Sequence, residues 1–542
     1  MLEKLKQNWK SGVTVSLVSI PLSIALAVAS NSTPSIGILT AIWAGLFAAL
    51  FGGSNFNIVG PTGALSGIIA SYVILNGTEH LPMVTIVAGL IIFVSYLLKL
   101  ERFLILIPAS VIHGFTLGVA FIIGLGQFNA ALGLKGLPAH ESFIENLMES
   151  FRHLAQISIP AVSVFAVFLV GLLLFKKFLP KLPGAIILAP VGVLLGYLTT
   201  VGKIPLVLET LGSKFGEIQF QIFNFPSLSF SFGMLNTAAV IALIAILETM
   251  LSAKIADAMT KTKYNERKEM LGLSLANIAS GFAGGMPATA ALARTSLNIK
   301  TGATSRVSGI INVACILIIS TVLLKYFRFM PMAVIASILV YVAIQMIEAE
   351  HFFKLFKYER NGLVVSLLVA LLVIVEDPII GILVGVAVSL LIYVNRISKG
   401  LYEMREDVLS DTAPRLTDSK SKDLRENSDV LLYSFKGRVT YINAKAHLSR
   451  FEENMTKYKI VILRFREVYY LDLDGIEAID EIIGICKARN QKVILTSVPN
   501  EIVKILGDTS FHYKNLKGQG LVFPKTEDAL VSLNIPLRDY RK

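Results

Sequence analysis

Gly284–Arg294 reads G-G-M-P-A-T-A-A-L-A-R and lies within a long apolar region. It holds too few apolar residues before the next charge to cross a bilayer. A Gly-Gly-x-Pro breaker is followed by small residues of good helix propensity, then by an arginine at membrane depth. The pattern predicts a short half-helix, Ala288–Asn298, whose N-terminus is exposed inside the membrane. A second copy stands upstream in Gly60–Leu65, G-P-T-G-A-L, shortly after Gly52-Gly53. Two interrupted segments in corresponding places mark a transporter's binding site. Irregular backbone at that depth is tolerated only where it is buried in protein or lines a cavity.

The chain around this stretch fits a membrane setting. Of its 542 residues, 54% are hydrophobic and only 16% are charged, and the mean hydropathy is +0.66. Residues 13–396 form a polytopic membrane domain, preceded by a short N-terminal segment, 1–12. A polar linker, 397–427, leads to a soluble domain, 428–542. The net charge of +12 comes from basic residues in short loops on one side of the membrane. No basic face with interleaved aromatics appears, which argues against nucleic acid. Cys315 and Cys486 form no metal or disulfide framework. Lys4, Lys6 and Lys10 precede a segment without a small-residue cleavage site, so no cleaved signal is expected.

Membrane segments are expected at Val13–Ala29, Ile36–Phe51, Val59–Leu75 (partly non-helical), Met83–Leu98 and Phe103–Leu125. Then follow Pro160–Phe175, Gly184–Thr200, Asn236–Ala253, Met270–Phe282 and the half-helix. Val307–Leu324, Ala333–Ile347, Leu363–Val375 and Ile379–Tyr393 complete fourteen. An even number puts both termini on one side. That side receives Lys99/Arg102, Lys176/Lys177/Lys181, Lys261/Lys263/Arg267/Lys268, Lys300/Arg306, Lys354/Lys357/Arg360 and Arg396/Lys399. The other receives connections such as Gly77-Thr78-Glu79 and Glu376-Asp377. Lys325 and Arg328, with a few basic residues in the longer Gly126–Gln156 and Val201–Leu235 connections, run against the trend, and long connections count little in this rule. Both termini are therefore expected in the cytoplasm, with the chain in the inner (cell) membrane.

An internal repeat supports the count. Ile107-Pro-Ala-Ser-Val-Ile112 resembles Met330-Pro-Met-Ala-Val-Ile335, an offset of 331 − 108 = 223. The breaker prolines Pro61 and Pro287 are offset by 287 − 61 = 226. Seven segments per copy is an odd number, so the second copy is inverted, and the site falls near the midplane. In the soluble part, Val430–Phe435, Ile460–Phe465 and Val493–Thr496 read as strands and Gly475–Arg489 as a helix, an α/β domain without a Gly-rich phosphate loop.

Two helix N-termini facing one another concentrate positive partial charge between them. Arg294 adds a full charge, and Ala64, Ala288, Ala290, Ala291 and Ala293 are small enough to leave backbone N–H groups accessible. Together these describe an anion site. Close helix packing alone would account for the alanines but not for the arginine. Glu248 ends the apolar run Ala238–Glu248. A carboxylate there is costly to keep charged unless a cation lies close, so it serves either proton coupling or as a static partner of Arg294; coupling is preferred. Asp257 reads as a polar residue at the cytoplasmic end, and His113 as a packed polar residue rather than a ligand.

With these residues in place, the chain resembles the sulfate permease (SulP) family of anion transporters with a C-terminal STAS domain. The matching residues are Ile20-Pro-Leu-Ser23, Gly60-Pro-Thr-Gly-Ala64, Pro108-x-x-Val111-x-x-Gly114, Glu248, and Gly284-Gly285…Arg294…Gly302. The resemblance implies fourteen segments as a 7+7 inverted repeat with core and gate parts, elevator-like alternating access, and a homodimer. It places the anion site on Ser23–Ile24, on Thr62, Gly63 and Ala64, and on Ala288, Thr289, Ala290, Ala293 and Arg294. No cofactor or metal is implied; the partners are a small anion, a coupling proton or sodium, and membrane lipid.

Two departures matter. The first-segment position often held by Gln after Ile-Pro is Leu22, which blurs substrate choice. In Asp472-Leu-Asp-Gly475, Leu473 stands where related regulatory domains carry a phosphorylatable serine. Nucleobase transporters share the architecture, but their sites favour carboxylates on both central helices, and this chain offers one carboxylate and an arginine. A passive channel needs no buried titratable residue, and a STAS-signalling receptor needs the missing serine. No nucleophile–base pair supports an enzyme. Sulfate, bicarbonate and C4-dicarboxylates all fit one arginine and two helix ends.

Overall fold

A computed structural model describes residues 2–102, 107–138, 140, 142–179, 183–224, 229–376, 378–405, 429–454 and 458–534. The start of the expected fifth segment at Phe103, Lys181, Asp377 and most of the expected linker lie outside the described residues. The chain divides into two compact units, Met1–Ala387 and Val388–Lys542.

The first unit is helical. Its elements are α1 (Leu2–Ala29), α2 (Pro34–Phe51), β1 (Val59–Gly60), α3 (Gly63–Asn76), α4 (Leu81–Leu97) and α5 (Ala109–Leu125). They continue with α6 (Ile159–Phe178), α7 (Gly184–Thr200), α8 (Met234–Thr260), α9 (Glu266–Phe282), β2 (Thr289–Ala290) and α10 (Leu292–Lys300). Last come α11 (Val307–Leu323), α12 (Met332–Met346), α13 (Arg360–Val375) and α14 (Pro378–Ser398), the last running past the division between the units. Among the described residues, nine helices are long and apolar enough to cross a membrane, and α3, α7 and α13 are shorter apolar helices.

The repeat is visible in lengths and in packing. Helices α1 and α8 have 28 and 27 residues, α2 and α9 have 18 and 17, and α4 and α11 have 17 each. Pro108 and Pro331 cap α5 and α12 with nearly the same backbone, φ −66, ψ 149 and φ −65, ψ 142. Contacts come in exchanged pairs: α1 packs on α11 as α8 packs on α4, and α5 packs on α13 as α12 packs on α6. This separates α1–α4 with α8–α11 from α5–α7 with α12 and α13, which α14 joins where Gly385 lies against Val369 of α13 and Val111 of α5, and α3 faces α5 where the two sets meet. Gly114 shows how close the second set lies: a Cβ there would stand 2.8 Å from Ser366 Cα on α13.

Pro61 and Pro287, however, are not equivalent positions. Pro61 follows β1, whereas Pro287 precedes β2, and the helix starts differ by 292 − 63 = 229.

The second unit carries a five-stranded sheet of order β3-β4-β5-β6-β7, with β3 (Leu401–Arg405), β4 (Val430–Val439), β5 (Ile460–Leu471), β6 (Lys492–Thr496) and β7 (Val522–Phe523). Strand β3, inside the stretch expected as linker, pairs antiparallel with β4; the other pairings are parallel. Helices cover both faces, as a parallel sheet requires. Leu431, Tyr433 and Phe435 point into one apolar cluster, and Leu432, Ile462 and Ile494 into another with Ala529 and Leu530. Between β5 and β6, α16 (Leu473–Ala488) starts at Asp472, whose carboxylate accepts from Gly475 N at 2.8 Å; α15 (Tyr441–Asn454) joins β4 to β5.

Candidate functional site

The two interrupted segments meet. Strands β1 and β2 pair antiparallel, Val59 opposite Ala290 and Gly60 opposite Thr289, and Ala291 N donates to Ile58 O at 3.3 Å. Antiparallel pairing sends α3 and α10 away from the crossing in opposing senses, which an inverted repeat produces. The caps Thr62 and Ala291 are extended, and neither supplies a side-chain cap hydrogen bond. The first N–H groups of each helix therefore keep their donor capacity near the crossing.

This corrects the expected half-helix. Thr289–Ala291 is extended, and the helix starts at Leu292, because pairing with Val59–Gly60 overrides the helix propensity of small residues. The alanines do not leave their backbone free either. Ala288 N donates to Asn277 Oδ1 at 2.9 Å and Ala290 N to Thr249 Oγ1 at 3.1 Å. Both side chains are buried in a small cluster with Ala44, Val59 and Ala276. A phenylalanine at Ala290 would disrupt that cluster rather than plug a cavity. Thr289 Oγ1 lies 2.9 Å from Thr249 Oγ1. Ala293 is exposed, next to buried Arg294.

Arg294 reaches from α10 to the first segment. Its Nη2 donates to Pro61 O, its Nε has no partner, and the side chain is 1% exposed. A Cβ on Gly60 would lie 2.7 Å from Arg294 Nη1, so only glycine lets the guanidinium lie against the β1 backbone. On α8, Glu248 Oε2 accepts from Thr62 Oγ1 at 3.0 Å. Ala245, Glu248, Thr249 and Ser252 share one face of α8, spaced by three, four and seven residues. Glu248 and Arg294 both reach the first segment, at Thr62 and at Pro61, without a direct ion pair, since no Glu248 oxygen comes within 4.0 Å of an Arg294 nitrogen.

A cavity of about 740 Å³ reaches the start of α3. Gly63, Ala64, Ser66 and Gly67 line it there; Asn31, Asn76, Gln127, Asn236 and Glu376, at the neighbouring helix ends, are among its polar lining. Of the residues expected to bind anion, the cavity brings in Gly63 and Ala64. Ser23 and Ile24 are fully buried in α1, with the Ser23 hydroxyl unpartnered, and Thr62, next to Gly63 in sequence, and Arg294 are buried without lining the cavity themselves.

Several residues here were not anticipated: Asn57, Thr249, Ser252, Glu269, Asn277 and Thr295. Asn277 stands in the apolar run Leu275-Ala-Asn-Ile278, a buried amide that could have been singled out. His113 meets Glu348 Oε2 at 3.1 Å and stacks on His351 at 3.6 Å, away from the crossing. Asp257 accepts from Tyr264 N at 2.6 Å and closes the turn after α8.

Residues 5–369 match the profile of the Sulfate permease family, and residues 421–529 that of the STAS domain. The chain belongs to the sulfate permease family. It is a multi-pass membrane transporter of anions, not an enzyme. The chain is 32% identical over 95% of both chains to YvdB of Bacillus subtilis (strain 168), named as a candidate sulfate transporter. It is 25% identical, over 90% of this chain and 88% of the other, to the bicarbonate transporter BicA of Picosynechococcus sp.. In fold it is similar to the murine anion transporter Slc26a9 in the inward-facing state, with a TM-score of 0.80 at 16% identity over 98% and 91% of the two chains. The transmembrane domain of a cyanobacterial BicA superposes with a TM-score of 0.61 at 23% identity, over 72% of this chain and 98% of that one.

Proposed function

We propose that this protein is a secondary active transporter that couples uptake of a small oxyanion to a proton. The hydrogen bond from Thr62 to Glu248 carries the reading. Thr62 caps the helix whose first residues line the cavity, so its hydroxyl and the free N–H groups of α3 form one electropositive spot. A charged Glu248 already satisfies that spot. A proton on Glu248 leaves only a neutral acceptor, which holds the Thr62 hydroxyl more weakly, and it removes a competing negative charge, so anion and proton bind with positive coupling. Arg294 supplies fixed charge to the crossing from the opposite segment.

Sulfate and bicarbonate are the leading substrates, from the names of the relatives, with C4-dicarboxylates as a third class. Movement of α1–α4 with α8–α11 against α5–α7 with α12–α14 would give elevator-like alternating access. The protein would work as a homodimer in the cell membrane, with both termini cytoplasmic. In proteoliposomes, labelled sulfate, bicarbonate and succinate are offered under an imposed inward proton gradient, with and without sodium. One of them is expected to accumulate with the proton gradient alone. Accumulation that follows sodium and ignores the pH difference would sink proton coupling and leave Glu248 as a sodium ligand.

A further inference from the structure

Glu269, on the first turns of α9, is a buried carboxylate to which the transport reading gives no part; it is 4% exposed. Both of its oxygens accept. Oε2 takes Gly53 N and Ser54 N, each at 2.7 Å, and Oε1 takes Asn57 Nδ2 at 2.6 Å. Backbone reinforces the grip: Gly272 on α9 lies so close to α2 that a Cβ would stand 2.5 Å from Gly52 Cα. Charge-assisted hydrogen bonds of this length are the strong ones.

The contacts continue from Asn57 towards the crossing. Asn57 Nδ2 donates to Thr249 O at 3.2 Å. Ser252 Oγ lies 3.0 Å from Asn57 Oδ1 and 3.1 Å from Thr295 Oγ1. Thr295 Oγ1 accepts from Ile58 N at 3.2 Å, the residue before β1. Thr249 follows Glu248 and Thr295 follows Arg294 in sequence, so the chain of contacts ends beside both charged groups of the site. Residues 53–58 are thereby fixed to α8, α9 and α10 at once, and they lead directly into β1 and Thr62.

We propose that Glu269 is a positioning residue of the anion site, holding 53–57 so that β1 delivers the Pro61 carbonyl to Arg294 and the Thr62 hydroxyl to Glu248. It acts through Asn57. The proposal rests on the anion site lying at the crossing, but not on proton coupling.

The test is anion exchange by counterflow at fixed pH, which needs no proton gradient, with sulfate, bicarbonate and succinate run in parallel. The KM is read for the anion that the unmodified protein exchanges. Glu269→Gln and Asn57→Ala are each expected to raise KM about tenfold while the maximal rate changes much less, and the double variant no further than the worse single one. KM does not depend on how much protein folds. An unchanged KM with only a poorer yield or lower Tm would make Glu269 merely structural and overturn the proposal. Additive KM effects would overturn action through Asn57. If those variants fail to fold, Ser252→Ala removes one hydroxyl from the same chain of contacts and must raise KM by roughly threefold, as the loss of a shared network bond does. No change there also overturns the proposal. A transporter that shows these KM effects but ignores the proton gradient would refute the coupling mechanism and leave the positioning role standing.

Discussion

Thr62 Oγ1 donates to Glu248 Oε2 at 3.0 Å, tying the cap of α3 to the carboxylate of α8. Thr62→Val keeps the shape and removes the donor. It is expected to weaken anion binding and flatten the pH dependence of uptake together, since one hydroxyl serves both. Uptake rates over a pH series, at several anion concentrations, separate these effects. A change in affinity without a change in pH dependence would show that Thr62 does not speak to Glu248 during transport.

Gly60→Ala tests the crossing. The added methyl carbon would lie 2.7 Å from Arg294 Nη1 and 3.4 Å from Cζ, so either the guanidinium or β1 must shift. Transport is expected to fall at least tenfold, one decade per 1.4 kcal/mol of misplaced charge. Uptake normalised to folded protein is the measure. Wild-type activity would mean the guanidinium has room that the packing does not suggest.

Arg294→Ala removes both the fixed charge and the partner of the Pro61 carbonyl, so its consequences exceed a loss of field. A buried unpaired carbonyl costs about 1–3 kcal/mol, and Arg294 is among the largest fully buried side chains. Lost transport with a lowered Tm is expected. Arg294→Lys keeps the charge but not the planar fork, and should recover stability more than transport. If Lys restores both, the guanidinium geometry is irrelevant.

In the second unit, burial against the Tyr433 and Phe435 rings, with the Arg450 guanidinium adding to it, pushes the His447 imidazole from 6.5 down to about 3. The folded state binds its proton more weakly than the unfolded chain. The stability so gained is fully present above about pH 6.5, and falls by up to tenfold in the folding constant per pH unit as pH drops towards the folded value. Hydrogen exchange of β4 amides in the intact protein, corrected for intrinsic rates from pH 4.5 to 7.5, reads it directly. His447→Asn should lose most of that slope; an unchanged slope assigns it to other groups.

Much of the fold was legible because punctuation and apolar length agree. Pro183 and the lysines before it set the start of α7 at Gly184. Pro108 and Pro331 marked equivalent helix starts because a proline cap acts locally. The start of α10 was not legible: Ala288–Ala291 has helix propensity, and only its pairing with a distant upstream strand extends it (Val59 to Ala290, 290 − 59 = 231 residues). Glu269 was hidden among Glu266, Arg267 and Lys268, which read as a charged loop. Only the folded backbone brings Gly53 N and Ser54 N to it. Arg294 and Glu248 stood out because charge is costly in an apolar segment, yet their lack of a direct ion pair is a tertiary fact.

Glu248→Gln decides the coupling mechanism. The amide nearly matches the carboxylate in size and can still accept from Thr62 through its oxygen, so the α3 cap keeps its shape. What it loses is the exchangeable charge. With no proton to gain, the variant cannot link anion occupancy to the pH difference across the membrane, and reciprocity of binding requires both couplings to vanish together. Exchange of anion for anion needs no net proton movement and is expected to persist. In vesicles under an imposed inward proton gradient, the variant should equilibrate labelled anion without accumulating it, and its KM should no longer vary with pH. Accumulation as steep as in the unmodified protein would place the coupling proton on another residue. Loss of exchange as well would instead make the negative charge of Glu248 part of the transport cycle itself.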